Sequence, residues 1–304
     1  MMSVPAAYIC LVLTWSTTPL AVQWSADGVG FSFAVFSRML VSIVLALAVL
    51  MLWRKPVPMH PRARALYLVS GVSLYLAMSL VYWGAGEVRS GLISVIFGLS
   101  PLLTSLIAAA CRTEPPPGRI ALSGVALAIG GLALIFLQGD EGQDGTAGLL
   151  ALLLASVVHS ASLIALKRIG GDNPPLATTF GTLLVALPMF ALQWWIGDGT
   201  LPSAPPSRAI GAIAYLGVFG SLLSFTLYYY VIKHLAASQV ALVTLMTPVL
   251  ALLLGHWVNG EALDARIGIG SGLILFGLAL HQWRTLGRLL PPRWRSLATD
   301  GGRR

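Results

Sequence analysis

GLISVIFGLSPLLTSLIAAACRTEPPPGRIALSGVALAIGGLALIFL, residues 91–137, is an apolar segment broken at its centre by Ser100-Pro101. A short polar loop holding Glu114 follows, then a glycine-rich apolar segment opened by Arg119-Ile120. The same plan returns 147 positions later without a gap, over residues 238–284. Pro101 is echoed by Pro248, Glu114 by Glu261, Arg119-Ile120 by Arg266-Ile267 and Gly130 by Gly277. Upstream in the same register, Ser79 and Tyr82 become Thr226 and Tyr229. Apolar residues would coincide by chance in such a chain, so the echo rests on its Pro, Glu, Arg and Gly positions. A duplication is what the fold has to accommodate.

Of the 304 residues, 57% are hydrophobic and 10% charged, where globular chains carry about 25% charged residues. A spanning helix takes roughly 20 predominantly apolar residues. Ten such segments fit, at 6–24, 32–53, 65–84, 91–111, 119–137, 147–168, 177–197, 208–230, 238–257 and 266–284. The expected fold is an all-α polytopic membrane protein with ten transmembrane helices. Residues 1–139 form the first five-helix repeat, 140–284 the second, and 285–304 a basic tail. Five is odd, so the second repeat enters the membrane inverted.

The net charge of +8 is unevenly placed. With the N-terminus cytoplasmic, loops 54–64, 112–118, 169–176 and 231–237, their flanks and the tail hold 15 of the 19 Lys and Arg residues. The opposite face holds Arg89, Arg208 and Arg266, while Asp140, Glu141 and Asp144 share one loop there. This is the positive-inside pattern, and it places both termini in the cytoplasm of a plasma membrane. It excludes nucleic acid and makes anionic lipid headgroups the expected neighbours of Arg54–Arg64 and the tail. The start, Met1-Met2-Ser3-Val4, lacks the basic region of a signal peptide, so the first segment is expected to remain as a helix. Cys10 and Cys111 lie within or at the end of spans and suggest neither a disulfide nor a metal site. No cofactor is expected.

Several spans carry polar or aromatic residues. Trp15-Ser16-Thr17-Thr18-Pro19 reads either as helix packing through small residues or as a pocket wall with Trp15 as a platform. Arg38 sits inside the second span, where a charge faces protein, water or a partner. It could be structural, snorkel outward, pair with Glu87 or touch substrate. Tyr75, Ser79, Tyr82 and Trp83 are spaced to share one helix face. Thr226, Tyr229 and Tyr230 take matching positions in the second repeat, with Tyr228 beside them. These rings read as an interfacial belt or as a cavity lining. Pro101 and Pro248 each leave the carbonyl four residues earlier, on Phe97 and Thr244, without its helical donor. Ser94, Gly98 and Ser100 surround the first break, Thr244 and Thr247 the second. Interrupted helices at matching points of two repeats are the best sequence pointer to a substrate site. Gly124, Gly130, Gly131, Gly268, Gly270, Gly272 and Gly277 read as close packing or a dimer surface. His159, beside Ser160 and Ser162 near a span midpoint, reads as a neutral, hydrogen-bonded side chain or as a proton-coupling or substrate group.

Inverted repeats let one pattern adopt inward-open and outward-open states around a site at their interface. That topology points to a transporter. The residues resemble the EamA family of the drug/metabolite transporter superfamily, ten-helix carriers made of two inverted five-helix repeats. The resemblance is carried by Ser100-Pro101 and Thr247-Pro248, by Glu114 and Glu261, and by the Gly124/Gly130 and Gly272/Gly277 helices. Trp15-Ser16 and Arg38 extend it, and it covers residues 5–284. Thr182 or a neighbour stands where the second repeat would place its counterpart of Arg38. The resemblance implies export or exchange of small organic solutes, amino acids among them, by a monomer or a homodimer. Glu114 and Glu261 lie in short loops at helix ends and read as caps or anchors. The smaller four-helix relatives couple protons through a membrane-embedded glutamate, yet none of the ten spans holds Asp or Glu. Facilitative transport or exchange is therefore expected, with His159 as the central titratable group. A multidrug or cation exporter of the same fold is the alternative within the class. Outside it stand a membrane-embedded enzyme, which would need clustered catalytic groups, and a non-transporting receptor or scaffold.

Overall fold

The computed structural model describes residues 3–113, 116–136, 145–170, 173–197, 199–234 and 237–283. It describes all of their side chains except those at 229, 232–234, 237–242, 244 and 245. All regular structure among these residues is helical: α1 (Val4–Ala26), α2 (Phe31–Leu52), α3 (Pro61–Ala85), α4 (Ser90–Phe97), α5 (Ser100–Ala110) and α6 (Arg119–Phe136). The second half holds α7 (Thr146–Ile169), α8 (Pro175–Gly197), α9 (Ser207–Tyr215), a π-helical stretch (Leu216–Leu223), α10 (Ser224–His234), α11 (Ala237–Asn259) and α12 (Ala265–His281). Counting α4 with α5, and α9 with the π stretch and α10, seven crossings are long and apolar enough to span a membrane and three are shorter apolar helices. These are the ten segments expected from the hydropathy of the chain.

The helix ends follow local chemistry. The Ser3 hydroxyl accepts the Ala6 N–H at 3.4 Å ahead of Pro5, and His60 Nδ1 accepts the Ala63 N–H at 3.2 Å ahead of Pro61. Each places a capping acceptor before a proline whose missing N–H costs nothing in a first turn. α1 runs unbroken through Pro19. Its hydroxyls bond back along the helix, Thr14 to the Cys10 carbonyl, Ser16 to Val12 and Thr18 to Thr14, at 2.6–2.7 Å. None of these reaches the Trp15 carbonyl that Pro19 leaves free.

The contacts between helices repeat in exchanged form. α1 packs on α9, α10 and α11 of the second repeat, and α7 packs on α3, α4 and α5 of the first. α2 with α8, α4 with α11, and α6 with α12 are self-paired. Such a pattern is what two inverted repeats produce when a two-fold axis in the membrane plane relates them. The bundle has two ends. One holds the N-terminus and the α2–α3 loop; the other holds the α1–α2, α3–α4, α8–α9 and α11–α12 loops.

Glycines set the closest approaches. On α6 and α12, Gly124 meets Gly277 and Gly131 meets Gly270, with the backbone of one helix where a Cβ of the other would sit. Gly84 of α3 approaches Gly148 of α7 in the same way, its absent Cβ 2.9 Å from the Gly148 carbonyl oxygen. Without a hydrophobic drive inside lipid, such close packing is what holds helices together. The glycine-rich segments thus join the two repeats within one chain. Gly277→Ala should lower the thermal unfolding midpoint in detergent, at a cost of about 1–3 kcal/mol for overpacking. Gly130→Ala, where nothing lies within 4 Å, should leave that midpoint in place.

Candidate functional site

The interruption expected at Pro101 is present. α4 stops at Phe97 and α5 restarts at Ser100, with Gly98 N–H bonded to the Ser94 carbonyl (2.8 Å) and Leu99 N–H to that of Ile96 (3.0 Å). Two serines one turn apart on α7 close the gap. The Ser156 hydroxyl meets that of Ser100 at 2.9 Å, and Ser160 donates to the Ser100 carbonyl at 3.1 Å. Backbone polarity exposed by a break inside a membrane persists only where protein or water receives it, and here α7 receives part of it. The half-buried His159 precedes Ser160, its ring 6.3 Å from that of Phe97. Among the described residues no hydrogen bond reaches its imidazole.

The second repeat departs from the expected match. α11 is one helix through Pro248. The first break has Gly98 three residues before its proline, in ordinary helical geometry and without a Cβ that would crowd Pro248, whereas Leu245 occupies that place before Pro248. The two proline regions nevertheless meet. A Cβ on Gly98 would lie 3.3 Å from Pro248 Cγ, and one on Gly91 would lie 2.9 Å from Leu252 Cα. α4 therefore crosses α11 with its glycines turned towards the partner.

Arg38 is 2% exposed. Its Nε donates to Ser221 Oγ at 2.8 Å, Nη2 to the Gly220 carbonyl at 2.9 Å and Nη1 towards Tyr82 Oη at 3.4 Å. One turn along α2, the Ser42 hydroxyl donates to the Gly217 carbonyl at 2.9 Å. The wide turns of a π-helix displace carbonyls from the normal helical ladder, and α2 supplies donors to two of them. The suggested snorkelling and the pairing with Glu87 are both corrected: the guanidinium is enclosed, and Glu87 is exposed on the α3–α4 loop. Thr182 of α8 bonds Ser70 of α3 at 2.7 Å. An added Cβ on Gly71 would meet the Thr182 carbonyl, as one on Gly217 would meet that of Arg38. Thr182 thus stands on α8 where Arg38 stands on α2.

The expected aromatic face of α3 divides. Tyr75 packs edge-on against Phe190 with centroids 5.2 Å apart, and Ser79 donates to Gln193 Oε1 at 2.6 Å. Both residues thereby engage α8. Tyr82 turns to Arg38 and is 1% exposed, whereas Trp83 is 44% exposed on another side of the helix. Consecutive helical residues diverge by about 100°, so Trp83 leaves the shared face. Trp15 meets the Tyr228 ring with centroids 5.2 Å apart, and Tyr230 packs in the same cluster. Ser16 and Thr226 bond back to the Val12 and Leu222 carbonyls at 2.7 and 2.8 Å. Ser94 is buried, and Pro101 and Ser162 are half-buried. The side chains of Tyr229 and Thr244 lie outside the described residues.

Three groups result: Ser94, Gly98, Pro101 and His159 with Pro248; Arg38 with Tyr82; and Trp15 with Tyr228 and Tyr230. Glu261 accepts the N–H groups of Ser90 and Gly91 at the start of α4 (3.1 and 3.3 Å), a cap given by one repeat to the other. Glu114 lies outside the described residues. Ser156 and Ser221 went unread in the sequence. The spacing of Ser156 and Ser160, one turn apart on an apolar helix, was the available signal for the first. A cavity of about 190 Å³ lined by Thr113, Ile164, Lys167 and Arg168 lies at the C-terminal end of α7. Among the described residues no group of three or more His, Cys, Asp or Glu could hold a metal ion.

Arg38→Leu should strand the Ser221 hydroxyl, while the Gly220 carbonyl keeps the Ser224 hydroxyl at 2.8 Å. The expected loss is about 1–3 kcal/mol, the cost of leaving a buried polar group unsatisfied, read as an unfolding shift in detergent. Arg38→Lys should recover only part of it, since an ammonium cannot reproduce the fork.

The EamA-like transporter family matches the chain twice, over residues 3–137 and 146–281. A protein of Streptantibioticus cattleyicolor named "Probable terminal-alkyne amino-acid exporter" is 29% identical over 292 residues, 93% of this chain and 94% of its own. The "Uncharacterized inner membrane transporter YedA" of Escherichia coli is 25% identical over 291 residues, 94% of this chain and 92% of its own. "Protein PagO" of Salmonella typhimurium is 25% identical over 295 residues, 95% of each chain. A crystal structure at 20% identity superposes with a TM-score of 0.64, over 94% of this chain and 98% of its own, and shares the fold.

Proposed function

Because the chain belongs to the EamA-like transporter family, with both repeats matched, we propose that it moves small organic metabolites such as amino acids across the plasma membrane by alternating access. Net export or facilitative exchange is the direction of use. The observation that carries this reading is the crossing of α4 and α11, where the interrupted helix of one repeat meets the proline of the other at Gly98 and Pro248. Irregular backbone at membrane depth, placed between inverted repeats, is the arrangement around which such carriers rock. His159 and Ser94 flank the crossing on one side, and Trp15, Tyr228 and Tyr230 offer an aromatic wall across α1. An amino-acid substrate brings a carboxylate, and the Arg38 guanidinium bonds only neutral acceptors. The exporter name of the Streptantibioticus relative is in keeping with that class.

The positive-inside bias of the basic loops supports a cytoplasmic location for the end that holds the N-terminus and the α2–α3 loop, with the α3–α4 and α11–α12 loops outside. One chain holds a complete pathway, and Gly268 and Gly272 of α12 face open space, so a monomer or a homodimer both satisfy the fold.

Counterflow in proteoliposomes preloaded with amino acids, nucleosides and cationic dyes tests the proposal, run with and without an imposed proton gradient. Exchange of amino acids is expected, at equal rates in both conditions. Exchange of dyes alone would move the assignment to a multidrug carrier, and no flux from folded protein would leave a receptor. His159→Ala should retain at least half of the exchange rate. Loss of gradient-driven flux in that variant, with exchange intact, would instead make His159 the coupling group.

A further inference from the structure

The α11–α12 loop grips the start of α4 through consecutive residues. Glu261 is 9% exposed. Its Oε1 accepts the Ser90 N–H at 3.1 Å, the Ser90 hydroxyl at 2.5 Å and the Asn259 side-chain amide at 3.0 Å, while Oε2 accepts the Gly91 N–H at 3.3 Å. A Cβ on Gly255 of α11 would collide with Oε2, so the glycine makes room for the carboxylate. The charge also sits at the positive end of the α4 dipole. Immediately before, Arg89 donates to the Ala262 carbonyl and pairs with Asp264 at 3.3 Å. Beside this grip, Trp24 Nε1 donates to Asn259 Oδ1 at 3.1 Å, and Arg208 lies over the Trp24 ring, 3.8 Å from its centroid. Each contact with Ser90, Gly91, Arg89 or Trp24 joins the first repeat to the second, and all lie at the end opposite the N-terminus.

A cap within one helix is indifferent to the opening of a bundle. This one is supplied by the other repeat, so α4 cannot swing from the α11–α12 loop without breaking it. We propose that Glu261, cradled by Gly255 and engaging Ser90 and Gly91, is the outer gate latch of the carrier. It is a positioning residue that weights the cycle towards the outward-closed state and is released and remade at each turnover. The proposal rests on the transport reading for its purpose, though not for its measurement. Opening exchanges charge-assisted hydrogen bonds for water, so removing the charge favours the open state.

The test is thiol accessibility without substrate. In full-length protein carrying Cys10→Ser, Cys111→Ser and Ser94→Cys, the single thiol lies buried about one turn below the latch. A charged, membrane-impermeant methanethiosulfonate is applied to right-side-out and to inverted vesicles. Glu261→Gln should raise labelling from the outer side about ten-fold, the weight of one charge-assisted hydrogen bond on a two-state equilibrium. Labelling from the inner side should not rise. Glu261→Asp should fall between, and Ser90→Ala should shift accessibility the same way by less. An equal rise from both sides marks general loosening and overturns the proposal, as does an unchanged outer rate in folded Glu261→Gln. Should that variant fail to fold, Ser90→Ala decides by the same criterion. If accessibility shifts but the unsubstituted chain exchanges no solute, the latch stands and the carrier reading falls. If solute is exchanged and accessibility ignores Glu261, the reverse holds.

Discussion

A peptide group inside hydrocarbon has no water to bond, and three irregular places among the described residues answer to that constraint. Where α4 gives way to α5, serines from α7 bond the interrupted backbone. Where the crossing between α9 and α10 widens into a π-helix, Arg38 and Ser42 of α2 reach the displaced carbonyls. Where α4 begins, Glu261 takes its first N–H groups. Each repair comes from a different segment, and all three come from the other repeat. The departures from regular helix are thus also the joints between the repeats, and loosening any of them alters both local backbone and global packing.

Duplication supplied two copies of one plan, and the copies have specialised. The first repeat carries the break and the second a continuous proline helix. The second carries the π-helical stretch where α3 is regular, and Arg38 is answered by Thr182. These differences pair off: the cation lies on the helix that faces the π turn, and the neutral hydroxyl on the helix that faces regular α3. An inverted repeat need not keep identical side chains to keep two states. It needs the same contacts available in exchanged positions, and those persist through the α1 and α7 packing.

The crossings were legible because membrane thickness fixes them. The expected segment 65–84 is found as Pro61–Ala85, and 208–230 as the run from Ser207 to His234. The break at Pro101 was legible from Gly98 and Pro101 together, and the persistence of α11 through Pro248 was not, since a proline alone decides only one hydrogen bond. Arg38 was visible as a costly charge, but its partner Ser221 lies 183 positions away. It is presented by a π turn that has no composition of its own. Trp83 was misplaced for a smaller reason, one residue of helical rotation beyond Tyr82. Periodicity places residues on a face; only the packed neighbour shows which face is used.

The glycine crossing of α6 on α12 also bears on how the protein comes into being. Gly124 is made about 150 residues before its counterpart Gly277. At cellular synthesis rates that is an interval of roughly ten to thirty seconds. Throughout it the grooved face of α6 lies against lipid or the insertion machinery, and no earlier helix offers the matching groove. α12 is therefore the keystone that α6 lacks until then, and ribosomal order makes this crossing wait until α12 has been made.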